Sequence, residues 1–121
     1  MEIKKNNQSG EDYLETILLL EKEAECVHRI EIAKRMGVSQ AAVNKAVKLL
    51  IERGQVREDG KHLRLTENGK AYASSVYERH CLIRSFLEKL GVSEATAEAD
   101  ACALEHLVSE ETVAKIKEFM Q

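Results

Sequence analysis

Proline is absent from the 121 residues, so no rigid ring interrupts the chain and glycine with short polar turn signals does the punctuating. There is no low-complexity tract and no internal repeat, which excludes a solenoid or a long biased tail. Cysteine is scarce: Cys26, Cys81 and Cys102 are odd in number, irregularly spaced and lack a CxxC pair. That pattern argues against a disulfide framework or a zinc ribbon and reads as reduced thiols. No apolar run approaches the roughly 20 residues of a membrane span. The opening MEIKKNNQSG lacks the hydrophobic stretch of a secretory signal, so the expectation is a cytoplasmic protein with no membrane partner. HExxH, a nucleophile motif and a phosphate-cradling glycine loop are all missing, and the histidines are not spaced for a hydrolase. An enzyme is therefore not expected.

What is present is unevenly charged. The net charge is -3, yet between His28 and Arg64 nine Lys and Arg face four Asp and Glu. From Ala71 to Gln121 five basic residues face nine acidic ones. A basic segment joined to an acidic one suggests that the first half meets an anion and the second meets a cation or another subunit. At 44% hydrophobic, this length buries one modest core or two small ones.

Apolar periodicity places Tyr13, Leu14, Ile17, Leu18 and Leu20 on one helical arc, predicting a first helix from about residue 10 to 23 behind Ser9. RIEIAKRMG is a short second helix stopped by Gly37. VSQAAVNKAVKLLIERG begins a third, with Ser39 as N-cap and Gly54 as stop. Two short helices around a tight GVS turn make a helix-turn-helix. QVREDGKHLRLT then reads as two strands around Asp59-Gly60, a favoured hairpin turn whose central residues both need positive φ. Thr66 to Leu90 is one long helix closed by Gly91. Ser93 caps a fifth helix to about Leu107, and Ser109 with Glu110 and Glu111 starts a sixth. The predicted fold is mainly α: a winged helix-turn-helix of three helices and a β-hairpin wing over residues 1–70, then a helical metal-binding and dimerisation domain over 71–121.

In a winged helix the third helix enters the major groove of double-stranded DNA. Its first residues here are Ser39, Gln40, Ala41, Asn44, Lys45 and Lys48. Gln40 and Asn44 suit adenine edges, Ala41 a thymine methyl, and the lysines phosphates. Lys61, His62 and Arg64 of the wing suit backbone or minor-groove contact. Any single lysine more often simply faces water. The coincidence of basic charge, helix-turn-helix and wing is what points to DNA. Such readers usually pair on palindromic sites, and the acidic half is the natural homodimer surface.

In the fifth helix, projected at a regular helical pitch, Glu98, Cys102, Glu105 and His106 fall within one arc, with Leu104, Leu107 and Val108 on the other side. Thiolate, imidazole and carboxylate together suit a borderline divalent ion such as iron(II), manganese(II), cobalt(II) or zinc, and suit calcium or magnesium poorly. Asp12 and Glu15 on the first helix and His80 on the fourth are further candidate ligands. Each also has a plain reading. Asp12 completes a capping box if Ser9 is the N-cap; Cys102 is a small buried hydrophobe; His106 is a satisfied core histidine. Glu15 is a solvated charge, and His80 beside Arg79 a surface pair. The trio Cys102, Glu105 and His106 resists this, because burying an acid beside a thiol without a cation is unfavourable.

GEDYLETILLLE, RIEIAKRMGVSQAAVNKAVKLLIERG, LRLTENGK, ERHCLIRSFLEKLGV and ADACALEHLVSEET together resemble the diphtheria-toxin-repressor and manganese-transport-regulator family of metal-dependent transcriptional repressors. The resemblance spans nearly the whole chain, and its specific part is D-Y-L-E, R-H and C-x-x-E-H in the first, fourth and fifth helices. It implies a homodimeric, iron(II)- or manganese(II)-dependent repressor of metal-homeostasis genes that binds palindromic operators. In that family the metal ties the first helix to the helical domain and so sets the spacing of the DNA-reading helices. It further implies a primary site of Asp12, Cys102, Glu105 and His106, with Glu15 and His80 as candidates for a second ion. Iron-responsive members tend to put methionine and cysteine at the places of Asp12 and Cys102; manganese-responsive members tend to put carboxylates at both. This chain has one of each. Where the family's ancillary site often has a carboxylate, this chain has Arg84, which points to an Arg84–Glu98 pair standing in the ancillary ion's place. The competing reading is a winged-helix regulator not controlled by metal, its Cys102 turn structural or redox-sensing.

Overall fold

The computed structural model describes residues 5–121, with side chains from Gly10 onward. The described chain divides into two compact units, residues 5–74 and 75–121. In the first, α1 (Lys5–Glu23) sets its apolar arc of Tyr13, Leu14, Ile17, Leu18 and Leu20 into one core with Ile32, Val43, Val47, Leu50, Val56, Leu63, Leu65 and Ala73. Burying a Leu- or Ile-sized side chain of this kind stabilises by about 1.5–3 kcal/mol. The helix is already formed at Lys5, so Ser9 lies inside it and not at its N-cap. That removes the capping-box explanation of Asp12 and leaves it a mid-helix carboxylate.

The helix-turn-helix is α2 (Arg29–Met36) and α3 (Gln40–Glu52). Gly37 ends α2 at φ 68, a left-handed conformation open to glycine without strain, and its N–H donates to the Ala33 carbonyl. Ser39 then caps α3, its hydroxyl accepting from the Ala42 N–H at 3.1 Å. Ser39→Ala leaves that donor unsatisfied and should lower the stability of the protein by about 1 kcal/mol. Urea unfolding followed by circular dichroism measures the shift; an unchanged midpoint would show that the cap contributes nothing.

The wing is β1 (Val56–Asp59) paired antiparallel with β2 (His62–Leu65) in the register Val56↔Leu65 to Asp59↔His62. Because Asp59 pairs with His62, the two-residue turn is Gly60-Lys61, one residue later than expected. Only Gly60 takes a positive φ, 67. A turn that demands left-handed backbone at its first central position alone needs a single glycine, and Asp59 is released to the strand. A bridge between Val27 and Leu63 and a hydrogen bond from the Leu65 N–H to a Glu21 carboxylate oxygen, 3.0 Å, fasten the hairpin to the end of α1 and the strand-like segment after it.

α4 (Glu67–Lys89) begins in the first unit, capped by the Thr66 hydroxyl, which accepts from the Gly69 N–H at 3.0 Å. Its later half, α5 (Glu94–Leu104) and α6 (Glu110–Met120) form the second unit. Ser93 and Ser109 cap α5 and α6 through the Thr96 and Thr112 N–H groups. Two expectations fail at α5. The helix stops at Leu104, so Glu105 to Leu107 form a turn. Its buried stripe is Ala97, Ala101 and Glu105, whereas Leu107 is 49% exposed. The stripe follows the four-residue spacing of Ala97, Ala101 and Glu105, and Leu107 falls off it. On α6 no residue is buried. Phe119, 59% exposed, meets Phe86 edge to face at 5.8 Å, and Leu90 and Leu107 also stand out into solvent. Large apolar side chains left uncovered in this way mark a surface for a partner.

Candidate metal centre and nucleic-acid interface

Burial along α3 alternates with helical period. Val43, Val47 and Leu50 are inside, while Gln40, Ala41, Asn44, Lys45 and Lys48 are exposed on the opposite face. Ser39 opens that face as its cap. The apolar stripe thus aims every proposed base- and phosphate-contacting residue outward together. On the wing, Lys61 and Arg64 are exposed and His62 is half-buried, its ring edge-to-face with His28 at 4.7 Å. Sequence reasoning passed over Arg57. It is exposed and directly opposite Arg64 across the hairpin. Like charges facing each other across a strand pair are unfavourable; Asp59 offsets one of them through a 3.1 Å contact with Arg64 Nε. The signal was available in the register, which becomes readable once the turn is placed correctly.

In the second unit the acidic turn after α5 is built around Glu105. Its side chain is 2% exposed. One carboxylate oxygen, Oε2, lies 2.8 Å from His80 Nδ1, and the other, Oε1, lies 3.2 Å from His106 Nε2. Arg79 does not pair with His80 on the surface as the plain reading had it. It reaches the Glu105 carbonyl at 3.0 Å, and His80 is buried at 3% exposure. The other ring nitrogen of His80, Nε2, stands 3.0 Å from both oxygens of Glu98. Glu98 also meets Arg84 Nη1 at 3.3 Å, the pairing anticipated from the sequence. Burial by itself would push the Glu98 carboxyl up, but the hydrogen bonds and charges of His80 and Arg84 outweigh it and hold it below its ordinary value.

Ligand placement departs from the single helical face of the projection. Cys102, on the exposed side of α5, offers its thiol to a cluster with His80 and Glu98 whose donor atoms all lie within 4.8 Å of one another. Glu105 and His106, beyond the end of the helix, turn inward. Glu105 still has helical backbone, φ -57 and ψ -27, with its N–H on the Ala101 carbonyl, so it falls in line with Ala97 and Ala101 on the buried stripe while Cys102 faces the exposed side. Glu98, which the helical projection sets on the same arc, joins this ligand-rich region as a further donor. Asp12 and Glu15 sit half-buried on α1 in the other unit, three residues apart and off its main apolar arc. No disulfide joins Cys26, Cys81 and Cys102.

The residues around Glu105 fit a cation. His80 Nδ1 and Glu105 Oε2 are buried and adjacent, yet their approach lacks the alignment of a hydrogen bond, and among the described residues neither atom makes one. Buried lone pairs left in this state are unfavourable, and an ion that takes both relieves them. Nitrogen, carboxylate and thiol donors select a first-row transition ion over calcium or magnesium.

A winged helix with an outward basic recognition helix, joined to a helical unit carrying a metal-adapted acidic turn and an uncovered apolar surface, defines a metal-responsive DNA-binding regulator. Residues 7–62 match the N-terminal DNA-binding domain of the iron-dependent repressors, and residues 66–121 match their metal-binding and dimerisation domain. The chain belongs to the iron-dependent repressor family. It is 39% identical over 118 residues to an HTH-type transcriptional regulator of Methanocaldococcus jannaschii, covering 95% of this chain and 94% of that one. It is 38% identical over 112 residues to the transcriptional regulator MntR of Escherichia coli O157:H7, covering 92% and 72%. Among solved structures, the manganese regulator SloR superposes with a TM-score of 0.82 at 35% identity over 92% of this chain and 53% of its own. The chain thus spans about half the length of that structure. The protein is a metal-dependent, DNA-binding transcriptional repressor whose second domain binds metal and dimerises. Members of this family are transcriptional regulators. Among the described residues no helix is long and apolar enough to cross a membrane.

Proposed function

We propose that Asp12, Cys102, Glu105 and His106 hold the activating ion, that Glu15 and His80 are the candidates for a second, and that occupancy controls how α3 is presented to a palindromic operator. The observation that carries this reading is the buried Glu105 carboxylate, with one oxygen toward each of two imidazoles. When bound, the ion supplies the positive charge that lets carboxylates, thiolate and imidazole converge. Glu105 fixes the two rings from the helical unit. His106 and Cys102 offer their donors from the same turn and the helix before it. Asp12, a mid-helix carboxylate on α1, brings the DNA-reading unit into the same set. A difference of 2 to 3 kcal/mol between the two arrangements of the units corresponds to roughly 30- to 150-fold in DNA affinity, and operator DNA tightens metal binding by the same factor. The regulated genes are those of metal uptake, silenced when the ion is plentiful.

On the DNA, Gln40 and Asn44 read base edges, Ala41 meets a thymine methyl, and Ser39, Lys45, Lys48, Lys61, His62 and Arg64 fix the register on the backbone. Lys48→Ala should weaken binding about equally for operator and unrelated DNA and reduce the slope of log affinity against log salt by about one. Fluorescence anisotropy across a salt series measures it. A loss confined to the operator would reassign Lys48 to base reading.

The test of the whole reading is a gel shift of operator DNA in chelator, in manganese(II) and in iron(II) kept reduced. Retardation only with metal is the expected result. Equal binding in all three lanes rejects metal control and returns the Cys102 turn to a structural or redox role.

A further inference from the structure

His80, Glu98 and Cys102 form a cage of a size that suits an ion: donors at about 2.0–2.3 Å from a common centre lie no more than about 4.6 Å apart, and these lie within 4.8 Å. All three belong to the helical unit. The cage borders an open cleft of about 490 Å³ lined by Arg84, Glu88, Glu94, Ala95 and Glu98. Bulk therefore does not keep an ion out, and what decides occupancy there is charge.

We infer that Arg84 is a built-in counter-cation that closes the His80–Glu98–Cys102 cluster to a metal ion of its own. Its Nη1 lies 3.3 Å from Glu98 Oε2, and its Nε lies 3.5 Å from Glu88 Oε1, one turn further along α4. The guanidinium is thus bracketed by two carboxylates and aimed at the one the cluster requires. Both oxygens of that carboxylate are already within 3.0 Å of His80 Nε2. A guanidinium cannot lose its proton and has no lone pair to give, so it neutralises Glu98 permanently and contributes nothing as a ligand. A divalent ion entering the cluster would meet this fixed positive charge a few ångströms away and would have to take Glu98 from it. A tethered cation has the advantage of high effective concentration over an ion that must bind from solution. The consequence rests on the reading under Proposed function. With Glu98 engaged by Arg84, metal is not drawn into a position within the helical unit that has no link to Asp12.

The experiment is cobalt(II) titration of the full chain, with ions per subunit counted by native mass spectrometry and thiolate-to-cobalt charge transfer read near the ultraviolet edge. Arg84 is about half exposed, so its replacement leaves the fold intact, which circular dichroism checks. Arg84→Glu removes the cation and adds a carboxylate. It should bind one more cobalt(II) per subunit than the wild type, with added charge-transfer absorption. Combining it with Glu98→Gln should abolish that extra ion, while Glu98→Gln alone leaves the wild-type count unchanged. An Arg84→Glu protein with the wild-type count overturns the inference, as does loss of an ion from Glu98→Gln alone. The DNA gel shift reports separately on the functional reading. The expected counts together with metal-indifferent DNA binding would sink that reading and leave the role of Arg84 standing.

Discussion

Replacing Glu105 with glutamine should abolish the metal response of DNA binding, lowering operator affinity in saturating manganese(II) or iron(II) to the level of the chelated wild type, roughly 30- to 150-fold. The substitution keeps the volume of the side chain, which matters at 2% exposure, and removes the charge that faces both His80 and His106. An amide offers a carbonyl oxygen on one side only, so one imidazole is left facing an N–H donor and the ion loses an anionic ligand. Anisotropy titrations with and without metal measure the effect. Retention of the wild-type response would show that Glu105 is a structural carboxylate, and the ion would then have to be assigned to other residues. Because Arg79 holds the main-chain carbonyl of Glu105 and not its side chain, the turn itself should persist, and a stable fold in chelator separates loss of metal from loss of structure.

The second large effect lies at the start of α4. Gly69→Ala should destabilise the DNA-reading unit by about 3 kcal/mol, because overpacking against an immovable partner is among the more severe core changes. A Cβ at position 69 would stand 1.9 Å from the Gln55 carbonyl oxygen and 2.9 Å from its carbon, both backbone atoms. The Gln55 carbonyl is itself committed, accepting from the Thr66 N–H at 3.0 Å, while the Gly69 N–H donates to the Thr66 hydroxyl. The start of α4 and the entry to the wing are therefore locked together at contact distance, and neither can retreat without breaking those bonds. A thermal melt should fall by roughly 10 °C or more for a unit of this size. A melt within a degree or two of wild type would mean that the close approach is relieved by a small backbone shift.

The elements were largely legible from the chain because their signals are local. Apolar residues at helical spacing made α1 and α3, and Gly37, Ser39, Ser93 and Ser109 ended or began helices through hydrogen bonds that depend only on near neighbours. The start of α1 was less legible, since Ser9 is a competent cap and nothing local reveals that the helix is already formed at Lys5. The hairpin turn was misplaced by one residue because Asp-Gly and Gly-Lys compete for its centre, and the pairing of Asp59 with His62 settles it only through the packing of Val56, Leu63 and Leu65 in the core. The candidate site divides in the same way. That Cys102, Glu105 and His106 are chemically suited to one class of ion was readable from residue type alone. That Glu105 turns inward beside His80 while Cys102 joins Glu98 was not, because it depends on which side of α5 is covered, and Glu105 shares the covered stripe with Ala97 and Ala101.

By itself, the sequence determined the class of this protein: a basic helix-turn-helix with a wing, and an acidic helical half carrying thiol, carboxylate and imidazole together. Periodicity, capping and donor chemistry are properties of neighbouring residues and need no knowledge of the fold. Only the tertiary structure decided which donors share a centre and which carry a fixed counter-charge, as Glu98 does with Arg84. Those outcomes are set by approach across helices to within a few ångströms, where packing decides which side of a helix is covered and a guanidinium can stand where an ion would.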